Sequence, residues 1–212
     1  MAEDRPDVDA ALRAGIALYN AGHYHPAHEP WEEAWLPLDP DADAPDEQVL
    51  HGLIQLTACI HHGRERNWSG AAGLAASAAG YLADAPDGHR GVDLGDVREY
   101  LRRVAADPAT IDRVTPPPLR IDGSAPGPSD LEFEPMLLAA EALAGGLDGV
   151  DAAVVADATR YAREERGTGR TQYAGLLTEF LGDPDRRPLV YDRLRGHVER
   201  ERARERDVDD LF

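Results

Sequence analysis

An all-α fold is predicted by three observations: apolar residues recur at three- and four-residue spacing in nine segments, the first five are joined by short connections, and strand-like alternation is nearly absent. The first segment, Val8–Ala21, places Leu12, Ile16 and Tyr19 on one face and stops at Gly22. The second runs from about Pro26 to Leu36, and the third is Glu47–His62, with Gly63 as its expected end. Asn67 or Ser69 can cap the fourth, which continues through Ala71–Ala83 and whose small residues suit close helix approach. The fifth is Asp96–Ala106, so residues 8–106 are expected to form an up-and-down helical bundle.

Composition then shifts. Pro116, Pro117, Pro118, Gly123, Pro126, Gly127 and Pro128 predict a stiff, extended connector over residues 107–129 rather than a packed element. Within it, Leu119–Ile121 is the one candidate strand. A helical C-terminal region follows over 130–206, with segments at about Leu131–Gly145, Asp151–Arg166, Arg170–Leu181 and Pro188–Arg206. Residues 207–212 form an acidic tail that ends in Leu211 and Phe212.

The 212 residues carry 40 acidic against 22 basic side chains, a net charge of −18, and every basic one is Arg. Excess carboxylate keeps a protein hydrated where salt screens charge over only ~3 Å at about 1 M. Adaptation to a high-salt cytoplasm, as in a halophilic archaeon, is therefore expected, with a GC-rich genome as the rival explanation for Arg without Lys. Nucleic acid is not an expected partner, because its binding rests on basic side chains meeting phosphates. The locally basic stretch Arg193–Arg206 interleaves Arg with Glu199, Glu201 and Glu205, the pattern of a solvated helix face. Cys59, the single cysteine, lies in the apolar run Leu53–Ile60 as a small core residue, which fits a reducing interior. Met1–Asp9 lacks the pattern of an export signal, and no apolar run approaches the ~20 residues that span a bilayer, so a cytoplasmic, non-membrane protein is expected.

One segment concentrates chemistry. In His28-Glu29-Pro30-Trp31-Glu32-Glu33-Ala34-Trp35, steps of four and seven residues bring His28, Glu32 and Trp35 into one arc of a helix. On the third segment Leu53, Leu56 and Ile60 form the apolar face, while His51, Gln55 and His62 line another with small Ala58 between them. If the two helices pack antiparallel across the loop Pro37–Asp46, His28 and Glu32 can face Gln55 and His62. Proline inside a helix forfeits a hydrogen bond and clashes with the preceding turn, so the helix is expected to start or kink at Pro30, with His28 in the turn before it.

The His28…Glu32…Trp35 pattern, the Gly52-Leu53-Ile54-Gln55-Leu56 run, His62 and Asn67-Trp68-Ser69-Gly70-Ala71 together resemble a prokaryotic all-helical family known only as a domain of unknown function, number 309 of its series. The resemblance covers roughly residues 9–105. It implies a compact helical bundle in which these positions cluster, and it supplies no established activity. Two departures stand out: Pro30 replaces a usual aliphatic residue, and Arg66 replaces a usual Gly.

Three readings of the cluster His28, Glu32, Trp35, Gln55 and His62 stay open. The preferred one is a buried polar network that fixes helix register in a non-enzymatic module, which binds a protein partner or itself. A second takes His28, Glu32 and His62, with His61 or His51 as spare, as ligands of a divalent metal such as zinc, manganese or iron in a small hydrolase. A third makes Glu32 or His28 a general acid or base. No nucleophile motif accompanies them.

Other signals fail on inspection. Asp39-Pro40-Asp41-Ala42-Asp43 spaces carboxylates like a calcium loop, but Ala44 and Leu50 stand where Gly and Glu are needed. Gly167-Thr168-Gly169-Arg170 lacks a preceding strand and a third glycine, and reads as a link between helices. His23 and His25 are expected at the surface, Trp31 in the core, and Asn67-Trp68-Ser69 as a helix start rather than a glycosylation site.

Overall fold

The structure, a computed structural model, describes residues 7–209. It is all-α, and the chain divides into two compact units at Leu131/Glu132. Residues 1–6 of the acidic N-terminal stretch and 210–212 of the expected acidic tail lie outside the described residues.

In the first unit, α1 (Val8–Asn20), α2 (Tyr24–Trp35), α3 (Ala44–Arg64), α4 (Trp68–Asp84) and α5 (Gly95–Ala106) each pack on the next in sequence, the up-and-down order. Asp7 caps α1 by accepting from the Ala10 N–H at 3.0 Å, and Asn67 caps α4 by accepting from Gly70 at 3.1 Å. Leu12, Ile16, Leu53, Leu56 and Ile60 are sealed in the core with Cys59, whose thiol burial pushes up to about 12. Trp31 is fully buried and lies so close to Gly15 that a Cβ there would sit 2.2 Å from the indole nitrogen. Glycine at 15 is what lets α1 and α2 approach.

Three expectations need correction. Helix α2 neither starts nor breaks at Pro30: it begins at Tyr24 and carries Pro30 in its interior. The proline lacks the N–H that would reach the Pro26 carbonyl, one lost bond, while its ring and the adjacent Trp31 are buried. Gly63 does not end α3, which runs to Arg64; it is buried, and a Cβ there would meet Ile111 at 2.3 Å. The left-handed turn that follows α3 falls on Arg66 instead, just past the cap residue Glu65, with a φ of 62° that glycine adopts more readily.

The third correction concerns the Pro-rich segment, which is packed. It holds α6 (Thr110–Arg113) and β2 (Arg120–Ile121), the latter antiparallel to β1 (Val92–Asp93), and Thr110, Leu119 and Ile121 are buried. Asn20, the last residue of α1, holds it down. Its amide donates to the carbonyls of Leu119 and Pro126 at 2.9 Å each, and its Oδ1 accepts from the Leu119 N–H at 2.9 Å. The Tyr19 hydroxyl donates to the Pro117 carbonyl at 3.1 Å. Pro117, Leu119 and Pro126 lie outside the two-residue β1–β2 pairing, so these side chains satisfy their backbone groups.

The second unit contains α7 (Phe133–Gly145), α8 (Ala152–Glu165), α9 (Gln172–Gly182) and α10 (Arg187–Asp209) around Leu137, Val155, Leu177, Phe180, Val190, Leu194 and Val198. Residues 207–209 of the expected tail continue α10. Buried Arg187 donates to the Phe180 carbonyl at 2.9 Å and the Leu181 carbonyl at 3.4 Å, closing the C-terminal end of α9.

Candidate functional site

Helices α2 and α3 run antiparallel, since His28 meets Thr57 while Trp35 meets Glu47 and His51. The five residues singled out in the sequence do not form one cluster. They divide among three places along α3.

At the Trp35 end the contacts form a closed chain. The Trp35 indole N–H donates to Glu47 Oε1 at 3.1 Å, and His51 Nδ1 lies 3.0 Å from the same oxygen. A carboxylate only accepts here, so Nδ1 of His51 carries the proton it donates. His51 Nε2 then accepts from the Gln55 amide nitrogen at 2.8 Å. The imidazole stacks on Tyr81 of α4 with ring centroids 3.9 Å apart, and its other neighbour is the Trp35 ring at 4.7 Å. Glu47 and His51 side chains are 15% and 19% exposed, so the network is largely withdrawn from water. Gln55 Oε1 is buried without a partner in this arrangement.

At the other end the contacts are sparse. The Thr57 hydroxyl donates to the Ile54 carbonyl at 2.8 Å, so its oxygen receives the His28 Nδ1–H at 3.2 Å. His28 Nε2 faces Glu32 Oε2 at 3.6 Å, beyond hydrogen-bond length, and the Glu32 side chain is 48% exposed. Burial lowers the His28 pKa, against the pull of Glu32 in the other direction. With Nε2 deprotonated, two acceptors therefore face each other at the surface.

His62 joins neither end. Its Nδ1 meets the Asn67 amide at 2.7 Å, beside the exposed His61. Among the described residues, no group of three or more His, Cys, Asp and Glu side chains is placed to hold a metal ion, and the set His28, Glu32 and His62 is not gathered. Antiparallel packing places His28 beside Thr57, which lies about half a turn from Gln55, on the far side of α3, and more than a turn from His62, so the facing arrangement expected from the sequence does not form.

Sequence reasoning missed Glu47 and Thr57. Glu47 was findable: Glu47, His51 and Gln55 follow one another at four-residue steps, the spacing of a single helix stripe. Thr57 stands within an apolar run and gives no comparable signal. Asp46 was also missed. It accepts from His89 Nε2 and Arg90 Nε at 2.6 Å each and from Arg90 Nη2 at 2.7 Å, tying the start of α3 to the turn before β1. Burial alone would raise its carboxyl, but these hydrogen bonds outweigh it and hold the group below its ordinary range.

The acidic loop bonds to its own backbone, with Asp39 Oδ1 accepting from Asp41 at 2.9 Å and Ala42 at 3.3 Å. No helix among the described residues is long and apolar enough to cross a membrane.

Comparison with known proteins bears on the same region. An uncharacterized protein of Aquifex aeolicus (strain VF5) is 31% identical over 93 residues, a stretch that makes up 44% of this chain and 27% of that protein. The chain thus spans about a quarter of the relative's length. The family described as a domain of unknown function, DUF309, matches residues 12–74, the stretch that holds the His28 pair, the Trp35 network and His62.

Proposed function

We propose that residues 7–131 form a non-enzymatic structural or protein-interaction module of a salt-adapted cytoplasm, in which the Trp35, Glu47, His51 and Gln55 network locks α2 against α3. One observation carries this reading: the indole N–H, the carboxylate oxygen and both imidazole nitrogens of the network are engaged with one another rather than presented to a ligand. The buried, unpaired Cys59 accords with a reducing compartment.

The runner-up is a small metal-dependent hydrolase using His28, Glu32 and His62. The pair of acceptors His28 Nε2 and Glu32 Oε2 favours it. Elemental analysis of the protein purified in high salt, for wild type and Glu32→Ala, separates the two. The module reading expects no stoichiometric metal and nearly unchanged melting for Glu32→Ala. Stoichiometric zinc, manganese or iron that disappears in the variant would overturn it.

A further inference from the structure

Among the described residues, two buried side-chain oxygens have no hydrogen-bond partner, Gln55 Oε1 and the Tyr100 hydroxyl. Buried polar atoms are normally satisfied, so each asks for a reason. Gln55 Oε1 stands at the end of the hydrogen-bond chain that runs from Trp35 through Glu47 and His51.

Glu47 fixes one half of the imidazole. Its Oε1, already accepting from the Trp35 indole, takes the Nδ1 proton of His51 at 3.0 Å, so Nε2 is the nitrogen left to gain or lose a proton. Bare Nε2 accepts from the Gln55 amide nitrogen at 2.8 Å. Protonated Nε2 is a donor, and the amide nitrogen, which only donates, would then oppose it. The oxygen that could receive the proton belongs to the same amide, buried and unused. A half-turn about the last side-chain bond of Gln55 brings it into place, and that torsion is broad and roughly two-fold in glutamine. The turn carries the amide nitrogen to where the oxygen stood, so a buried acceptor is exchanged for a buried donor.

The groups packed on His51 suit either charge state. Helix α2 faces it with the Trp35 ring at 4.7 Å, α4 with the Tyr81 ring at 3.9 Å, and on α3 itself Glu47 is the charged group in contact. Two aromatic rings and a carboxylate hold an imidazolium as readily as an imidazole, and no cationic side chain is among these contacts.

Resting on the reading of this network as the lock between α2 and α3, we propose that His51 and Gln55 form its proton switch. When Nε2 gains a proton in acid, the Gln55 amide turns over and Oε1 accepts from it, while Glu47 keeps hold of Nδ1. The amide thus has two settings, one for each charge state of the lock.

NMR of the nitrogen-15-labelled full chain between about pH 8 and about pH 5 tests it. At the upper end Nδ1 of His51 should be protonated and Nε2 bare. Towards the lower end both should carry protons, and the Gln55 side-chain amide signals, assigned by their absence in Gln55→Met, should shift with the same midpoint. In Gln55→Glu, whose ionised side chain only accepts, Nε2 should keep its proton to a pH at least about one unit higher. Gln55 amide signals that stay fixed while His51 gains its proton, or an unshifted midpoint in Gln55→Glu, would overturn the switch and leave the lock standing. A bare Nδ1 at about pH 8 would overturn both, because Glu47 would then have no proton to accept from His51.

Discussion

The two ends of helix α2 carry the same kinds of side chain and use them differently. At the Trp35 end, an indole, a carboxylate, an imidazole and an amide close on one another, and Tyr81 covers the ring. At the His28 end, seven residues earlier, an imidazole has one buried partner and one half-exposed carboxylate that does not reach it. The difference comes from α3. Where α3 offers Glu47 and His51 a turn apart, polar groups of α2 find complete partners, and where it offers Thr57 within an apolar run, only one is found. A shared helix face therefore sets which residues approach a neighbour, while the neighbour sets what they do.

The strongest way to break the contrast is to remove what holds both ends in place. Trp31, sealed between them and seated over Gly15, should cost about 3–5 kcal/mol as Trp31→Ala, and both ends should lose order together. Chemical denaturation followed by tryptophan emission checks this, because Trp35 and Trp68 remain and both lie in the first unit. Separate loss at one end only would contradict a common anchor.

Next in size, Glu47→Gln removes the charged acceptor of two N–H donors and should cost about 1–3 kcal/mol, while Glu32→Gln, half exposed, should stay within about 0.5 kcal/mol. Equal losses would show that the two ends are not distinct.

The pH dependence sharpens the His28 end. Burial lowers its folded pKa below the ordinary 6.5, so between these two values the unfolded chain binds a proton that the folded one does not. Stability of the first unit should fall as pH drops below about 6.5 and stop falling at the lowered folded pKa. His28→Gln should flatten that slope in tryptophan-monitored unfolding, since glutamine can still donate to Thr57. The Asp46 contribution is lost at lower pH, beneath the ordinary 3.8 of its carboxyl, so it does not obscure the window. An unchanged slope in the variant would show that His28 titrates alike in both states.

The smallest effect is at Arg66. Its left-handed backbone costs roughly 1 kcal/mol relative to glycine, and the exposed pair with Asp112 returns little. Arg66→Gly should raise stability by less than about 1 kcal/mol, measured by the same denaturation. Destabilisation would mean that the ion pair and the contact of Arg66 over Trp68 matter more than the backbone.

Much of this architecture was legible in the sequence, unevenly. The nine main helices follow from periodicity and caps, as Asp151 shows by accepting from Ala153 at 2.9 Å at the start of α8. Leu53, Leu56 and Ile60 lie in the core as their spacing implies. Pro30 misled because a helix that begins at Tyr24 tolerates one missing bond when the ring is buried. The packing of residues 107–131 was hidden because it depends on Asn20, a residue that reads locally as a helix end and acts about a hundred positions away. Of the candidate site, His28 with Glu32 and Gln55 with His51 followed from helical spacing. The partner of Trp35 did not, because it lies on another helix.

A double-mutant cycle between Trp35→Phe and Glu47→Gln tests the central claim most directly, with the His28→Gln and Glu32→Gln cycle as reference and unfolding read from the remaining tryptophans. A lock between α2 and α3 requires a coupling of about 0.5–3 kcal/mol at the Trp35 end and one below about 0.5 kcal/mol at the His28 end. Coupling at the Trp35 end no larger than at the His28 end would contradict it.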